Sequence, residues 1–322
     1  MTIKISVKSG VVALAVIGIA AVSACSSSSS TTATGAGSTA TASGSNPLAG
    51  GNASGSVIVG SANFSENETL AEIYVLALKK AGVNATAKLN IASREIYYPQ
   101  VEKGSITIVP EYNGSLLSGV VDPKSTAKTT AAVDAALKTE LPANLTVLNP
   151  APGADSDSIT VTQATATKYH LTSIADLKPY ASQMVLGAPP EFKTRADGLS
   201  GLQANYGLTF KTFKPLDESG PLTLKALTSG QVQAADLFTT NPSITADHLV
   251  SLADPKANFA AQNVIPLVYK PALTSTITST LNAVDAKLTT AALLQLNTTA
   301  QNSPGESYAT IAQNWLTSVG LG

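Results

Sequence analysis

The sequence predicts an α/β protein of two lobes, each a mostly parallel sheet flanked by helices, with two crossings of the chain between them. Three observations carry this expectation. From Ser56 onward short β-branched runs alternate with stretches of helical period. A break at Pro150-Ala151-Pro152-Gly153 interrupts the alternation, which then resumes, and the tail from Thr274 to Val319 is helical by pattern. Alternation on both sides of a Pro/Gly break is the pattern of two open α/β layers.

In chain order, Met1 to Cys25 reads as an export signal. Lys4 and Lys8 give a basic start, and the apolar run Val11 to Val22 is too short for a comfortable membrane span. The segment ends Val22-Ser23-Ala24-Cys25, which resembles the bacterial lipobox, and Cys25 is the only Cys in the chain. The resemblance implies lipidation at Cys25, and several acyl chains together anchor stably where one is marginal. Ser26 to Gly55 is built mainly from Ser, Thr, Gly and Ala, with Asn46-Pro47 and no charged, aromatic or β-branched aliphatic residue. It buries too little to order itself. As a flexible coil it spans roughly 30 Å on average and about 100 Å when stretched, which suits a tether.

Val57-Ile58-Val59 reads as a buried strand, with Gly60 to Ser65 as the turn at its carboxyl end. Ser65-Glu66-Asn67-Glu68 has the form of a capping box, and Leu70, Ile73, Tyr74, Ala77 and Ala81 recur at helical spacing until Gly82. Thr86 to Ile91 is a second candidate strand. A helix over Ser93 to Lys103 contains Pro99, and Ile106 to Val109 makes a third strand that ends in Pro110-Glu111-Tyr112-Asn113-Gly114. Beyond the break, Ile159 to Thr162, Met184 to Leu186, Ala234 to Phe238 and Leu249 to Leu252 read as strands. Gly198 to Tyr206 and Leu222 to Ser229 read as helices. A second crossing is expected near Asn263 to Val268, with Pro304 starting the last helix and Trp315 packing inward. The expected division is a leader over 1–24, Cys25 and the tether over 25–55, a first lobe from 56–152 plus 264–322, and a second lobe over 153–263.

Composition excludes several function classes. The 322 residues carry 20 Lys+Arg against 21 Asp+Glu, so no electrostatic footprint for nucleic acid is present. Removing Lys4 and Lys8 leaves 18 against 21, or −3, which gives no adhesion to anionic lipid. One Cys and two His provide neither a disulfide framework nor a His/Cys zinc site. No nucleophile elbow, phosphate-binding loop, dinucleotide fingerprint or H-E-x-x-H pattern occurs. His170 and His248 read as surface residues, and Asp155-Ser156-Asp157 lacks the Gly and Glu that a calcium loop needs. No catalytic residue, metal or cofactor is expected.

Open α/β lobes gather strand ends around a shared cleft, where ligands bind. The run Val57 to Leu70 resembles the opening of substrate-binding proteins that serve ABC importers of glycine betaine, carnitine and choline. In-order matches follow at Ser93-Arg94-Glu95-Ile96, Gly104 to Tyr112, Glu191 to Gly198, Ala226 to Val232, and Phe238-Thr239-Thr240-Asn241-Pro242. They run from Val57 to about Val268. The resemblance implies a periplasmic-binding-protein-like clamp without catalytic activity, in which aromatic rings box a quaternary ammonium group. A cation without hydrogen-bond donors is best held by ring faces, at about 0.5–2 kcal/mol each.

On that resemblance Tyr112 matches a box tyrosine, Ser115 a hydroxyl contact and Arg195 the family's arginine, a carboxylate partner. Phe238, with Thr239 beside it, falls where the family commonly has another Tyr. Asn63 and Phe64 sit at the first strand's carboxyl end, beside a helix N-terminus that favours an anionic group. Ala62 stands where many members have Lys, Asp157 falls where a ring is expected, and Gln262 falls near the place of a final Tyr. Tyr97 or Tyr98 would supply a ring from another direction, or Asp157 a direct charge contact. Arg195, Phe238 and Gln262 read equally well as structural residues.

The function implied is an extracytoplasmic receptor, lipid-anchored to the outer face of the bacterial plasma membrane. It would be monomeric and deliver a small osmoprotectant-like solute to a membrane permease. A different polar metabolite stays open as its ligand. An anchored hydrolase using Asp155 and Asp157, or a sensor without transport, are the alternatives from other classes.

Overall fold

The structure is a computed structural model that describes residues 55–322. The expected leader, the lipidation at Cys25 and the tether up to residue 54 lie outside the described residues. The first lobe opens with β1 (Val57–Gly60), α1 (Ser65–Lys80), β2 (Ala85–Lys88), α2 (Arg94–Glu102) and β3 (Ile108–Tyr112). It continues through the single turn α3 (Asn113–Leu116), α4 (Thr130–Glu140) and β4 (Leu145–Val147). The second lobe follows as β5 (Asp157–Thr162), α5 (Gln163–Tyr169), β6 (Val185–Ala188), α6 (Leu199–Tyr206), β7 (Thr212–Pro215), α7 (Pro221–Thr228), β8 (Ala234–Phe238), α8 (Ser243–Ala246) and β9 (Leu249–Ser251). The chain then returns through β10 (Val264–Tyr269) to α9 (Ser275–Asp285), α10 (Thr290–Asn302) and α11 (Tyr308–Ser318).

Two five-stranded sheets result, in the orders β2-β1-β3-β10-β4 and β7-β6-β8-β5-β9. The two-lobed α/β architecture is the one expected, but each sheet is mixed. In the first, β1 pairs parallel with β2 and β3, while β10 runs antiparallel to β3 and β4. In the second, β6 pairs parallel with β7 and β8, while β5 runs antiparallel to β8 and β9. The antiparallel members, β10 and β5, are the strands that follow the two crossings. Each enters its sheet from the cleft side, against the direction of the strand beside it.

Both faces of each sheet are covered, which explains why the strands read as short apolar runs. Ile108 and Val268 enter the core under α1, α9 and α11, whereas their neighbours Val109 and Leu267 enter the one under α2 and α4. In the second lobe Ile159, Leu186 and Ala234 face one core, and Ala235 and Leu237 the other. Each such burial is worth about 1.5–3 kcal/mol for a Val, Leu or Ile side chain. Leu70, Ile73, Tyr74 and Ala77 line the buried stripe of α1, and Trp315 of α11 packs into the same core as expected.

Local departures have physical causes. The third strand starts two residues later than the apolar run suggests, and within it Pro110 faces Pro266 across the β3–β10 pair. Neither proline has an N–H to offer, so each fits only where the partner asks for none. The capping box at Ser65 does not form: Phe64 is the N-cap of α1 and no side chain caps it. Asn67 is used elsewhere, accepting from the Ala62 amide at 2.8 Å and donating to the Pro110 carbonyl at 2.8 Å. The last helix starts at Tyr308 with Ser307 as its cap, four residues beyond the expected Pro304. The stretch expected as the second crossing, Asn263 to Val268, is instead mostly the strand β10, paired with β3 and β4, so the crossing ends at Asn263. Other elements, among them β4, β7 and α4, had no sequence signal strong enough to announce them. The edge strands β4 and β7 are only three and four residues long, and α4 buries only Val133 and Leu137.

The two crossings pair with each other. Ala151 N–H donates to the Val264 carbonyl at 2.8 Å, Val264 N–H to Gly153 at 3.2 Å, and Asp155 N–H to Gln262 at 3.1 Å. Asn263 ties this ribbon to the first lobe by accepting from the Asn113 amide at 3.0 Å through its carbonyl and donating to the Asn113 side chain at 2.8 Å.

Candidate functional site

Three rings meet where strand ends of the two lobes face each other. Phe64 precedes α1, Tyr112 ends β3 and Phe238 ends β8. Phe64 lies 6.0 Å from Tyr112 and 5.1 Å from Phe238, the latter edge-on at 67°. The register of β5 against β8 pairs Asp157 with Phe238, so the start of one strand adds a carboxylate beside the ring at the end of the other. Ser115, in the turn after β3, and Gln262, on the crossing, close the set, with Gln262 donating to Asp157 at 2.7 Å.

These side chains line a small inner cavity of about 20 Å³ together with Arg94, Asp155, Arg195 and Glu218. A larger cavity of about 500 Å³ shares Phe64, Asp155, Glu218 and Phe238 with it. Asn63 lines only the larger cavity. Thr239 lines neither; its hydroxyl accepts from the Ser156 amide at 2.9 Å, and its role is to hold the crossing. Tyr97 and Tyr98 supply no ring to the inner cavity: Tyr97 donates to Glu111 at 2.6 Å behind it, and Tyr98 packs in the core under α2.

The lobes are latched by polar contacts. Thr240 donates to Glu66 at 2.7 Å and Asn297 donates to the same oxygen at 2.6 Å. The Ser118 hydroxyl donates to Asp197 at 2.7 Å, and Gln301 donates to Ser243 at 2.9 Å. Arg195 donates to Glu95 at 3.0 and 3.3 Å, so a residue of the second lobe is ion-paired with the first. Burial alone would raise the Glu95 carboxyl, but the hydrogen bonds and charge of Arg195 override it and leave it at about 2.

Carboxylates dominate the electrostatics. Arg94 is gripped by Glu111 through contacts of 2.9, 3.1 and 2.9 Å, and Tyr112 N–H donates to Glu111 at 3.0 Å. Burial raises Glu66 against the hydrogen bonds from Tyr112, Thr240 and Asn297. Burial and the charge of Glu66 push Asp155 well above the usual carboxylate range. Glu218 is pushed up to about 7 by burial, with Arg195 opposing and Glu191 adding to the rise. Asp236 is fully buried behind Asp157, and burial followed by the Asp157 charge raises it strongly. Asp236 shares a hydrogen bond with Asp157, whereas Oε2 of Glu218 has no donor.

The structure therefore brings Phe64, Tyr112, Ser115, Asp157, Arg195, Phe238 and Gln262 to one cavity. Sequence reasoning missed Glu66, Glu218, Thr240 and Asn297. Glu66 was legible only as a helix-start residue, and Glu218 and Asn297 carry no motif of their own. Thr240 lies inside the family-like run Phe238 to Pro242 but has no distinguishing feature there.

Residues 55–318 match the substrate binding domain of ABC-type glycine betaine transport systems. The glycine betaine-binding protein YehZ of Escherichia coli K12 is 31% identical over 232 residues, which cover 68% of this chain and 73% of that one. The carnitine transport binding protein OpuCC of Listeria monocytogenes is 23% identical, with 84% of this chain and 89% of that one covered. A solved glycine betaine/carnitine/choline ABC transporter structure superposes with a TM-score of 0.64 at 24% identity, covering 82% of this chain and 99% of that one.

Proposed function

The chain belongs to the family of substrate-binding domains of ABC-type glycine betaine transport systems, and we propose that its inter-lobe cleft captures a small solute of the osmoprotectant kind, carrying a positively charged nitrogen, for an ABC permease. One observation carries this reading. Phe64 and Tyr112 of one lobe and Phe238 of the other converge on a cavity that also presents Asp157. Ring faces and a carboxylate attract a cationic group by different forces, and the same small volume holds both.

Capture and release need the lobes to part, since an inner cavity of about 20 Å³ has room for roughly one water molecule. Periplasmic binding proteins close around their ligands by a hinge in the segments between lobes. The paired crossings at Ala151–Asp155 and Gln262–Val264 form the natural hinge here, and the solute must favour the closed form to drive closure. We take residues 56–152 plus 264–322 and 153–263 as the two moving bodies.

The finer reading includes a lipid anchor at Cys25, placement on the outer face of the plasma membrane, a monomeric body and no turnover of the solute. Among the described residues no helix is long and apolar enough to cross a membrane. Equilibrium dialysis of the full chain against glycine betaine, carnitine, choline and other small amines tests the receptor reading. Binding of at least one of them, weakened in Tyr112→Ala, supports it, and no binding of any overturns it.

A further inference from the structure

We propose that the solute this cleft takes carries its charge on a nitrogen that still bears hydrogen, an amine or guanidinium-like cation, held by Asp157 and Glu218 with Asp236 behind them. This rests on the receptor reading above and narrows its substrate class. The chain has two arginines, and both line the inner cavity. Arg94 is bound to Glu111 and Arg195 to Glu95. Each guanidinium thus already has a carboxylate, and a zwitterionic solute would find no unpaired cation for its own.

Once those pairs are set aside, the acids left on the cavity wall are Asp155, Asp157 and Glu218, of which burial and the charge of Glu66 hold Asp155 far above the usual carboxylate range. Asp155 is engaged by the Thr240 amide at 2.8 Å and Asp157 by Gln262 at 2.7 Å. Glu218 is different: it lines both cavities, is 9% exposed, reaches Arg195 only at 3.8 Å, and leaves Oε2 without a donor. Asp236 is wholly buried, lines neither cavity and shares a hydrogen bond with Asp157, so it bears on the solute only through that partner.

A buried acceptor without a donor is rare and costly, and a donor arriving with the ligand would satisfy Oε2 of Glu218. A trimethylammonium group offers methyl surface and no hydrogen to this oxygen. A protonated amine offers both charge and donors, while the rings of Phe64, Tyr112 and Phe238 still accept its alkyl portion. A bound metal ion is the weaker fit. Among the described residues no three His, Cys, Asp or Glu side chains converge to hold one, and the Arg195 guanidinium lies 3.8 Å from Glu218.

Isothermal titration of the full chain with ethanolamine, N,N-dimethylethanolamine, choline and glycine betaine tests this, because the first three share a skeleton and differ in hydrogens on nitrogen. Ethanolamine is expected to bind at least ~10-fold more tightly than choline, with the dimethyl compound between them and glycine betaine weakest. In the isosteric Glu218→Gln variant the preference for ethanolamine should shrink several-fold. Choline or glycine betaine binding as tightly as ethanolamine overturns the inference and leaves the receptor reading intact. An ethanolamine preference unchanged in Glu218→Gln overturns the assignment to this cluster, and no binding by any of the four overturns both readings.

Discussion

Phe64 and Phe238, contributed by different lobes, meet with ring centroids 5.1 Å apart and planes at 67°. Both rings line both the small inner cavity and the larger one. An aromatic pair of this geometry contributes about 0.5–1.5 kcal/mol beyond its buried area. It therefore helps to hold the lobes together as well as to wall the cleft.

Truncating a ring should weaken solute binding by the value of one ring–cation contact. Phe238→Ala and Tyr112→Ala are each expected to lower affinity by roughly 3- to 30-fold, which corresponds to about 0.5–2 kcal/mol. Titration calorimetry of each variant against the best wild-type solute measures it. Tyr112→Ala should show the larger loss, because its hydroxyl also donates to Glu66 at 2.7 Å.

The pH dependence of stability follows from Glu218. Its carboxyl sits at about 7 in the folded protein against an ordinary 4.5, raised first by burial and opposed by Arg195, with Glu191, Arg94 and Asp157 also facing it. The folded chain keeps a proton there that the unfolded chain has already lost. Stability therefore falls as pH rises from about 4.5 to about 7, by ~3 kcal/mol from this group. Urea denaturation at pH 4.5 and pH 8 should show the wild type losing more stability than Glu218→Gln over that interval, the other raised acids being common to both.

The Arg94–Glu111 pair should behave as a buried unit. Glu111 is wholly buried and accepts from Arg94, Tyr97 and the Tyr112 amide. Removing its charge strands the guanidinium, at a cost of about 3–5 kcal/mol. Glu111→Gln should lower the denaturation midpoint strongly, whereas Glu95→Gln, whose partner Arg195 also has Glu191 and Glu218 at 3.8 Å, should lower it much less.

Gly153 limits the first crossing. A Cβ there would stand 2.6 Å from the Leu288 carbonyl oxygen and 2.7 Å from the Thr289 carbonyl carbon, both backbone atoms. Gly153→Ala must displace either the crossing or the turn between α9 and α10, and should cost about 1–3 kcal/mol in a denaturation experiment. Gly82→Ala, whose added Cβ would have no neighbour within 4 Å, should be destabilised only through its positive φ of 82°.

The two-lobed α/β plan was legible because the cues for it are local. Val57-Ile58-Val59, the stripe Leu70, Ile73, Tyr74 and Ala77, and Ala234 to Phe238 carry their periodicity in a few adjacent residues. The antiparallel entry of β5 and β10 was not legible, since strand direction is set by where the crossings emerge. Within the site, Tyr112, Asp157 and Phe238 were reachable from strand ends and motif matches. Glu218 and Asn297 were not, because their position depends on how the second lobe and the returning α10 meet the cleft. Arg195 reached the cavity wall, but its tie to Glu95, a hundred residues away in sequence, emerges only when the lobes close.

A solute that binds between the lobes should hold them together. The most direct test is a distance measurement between spin labels on the full chain, placed at exposed Lys138 of the first lobe and exposed Gln203 of the second, in a Cys25→Ser background. The tightest-binding solute should narrow the distribution of distances, and Tyr112→Ala should require more solute for the same change. Saturable binding with an unchanged distance distribution would mean that the solute does not act as a bridge between the lobes.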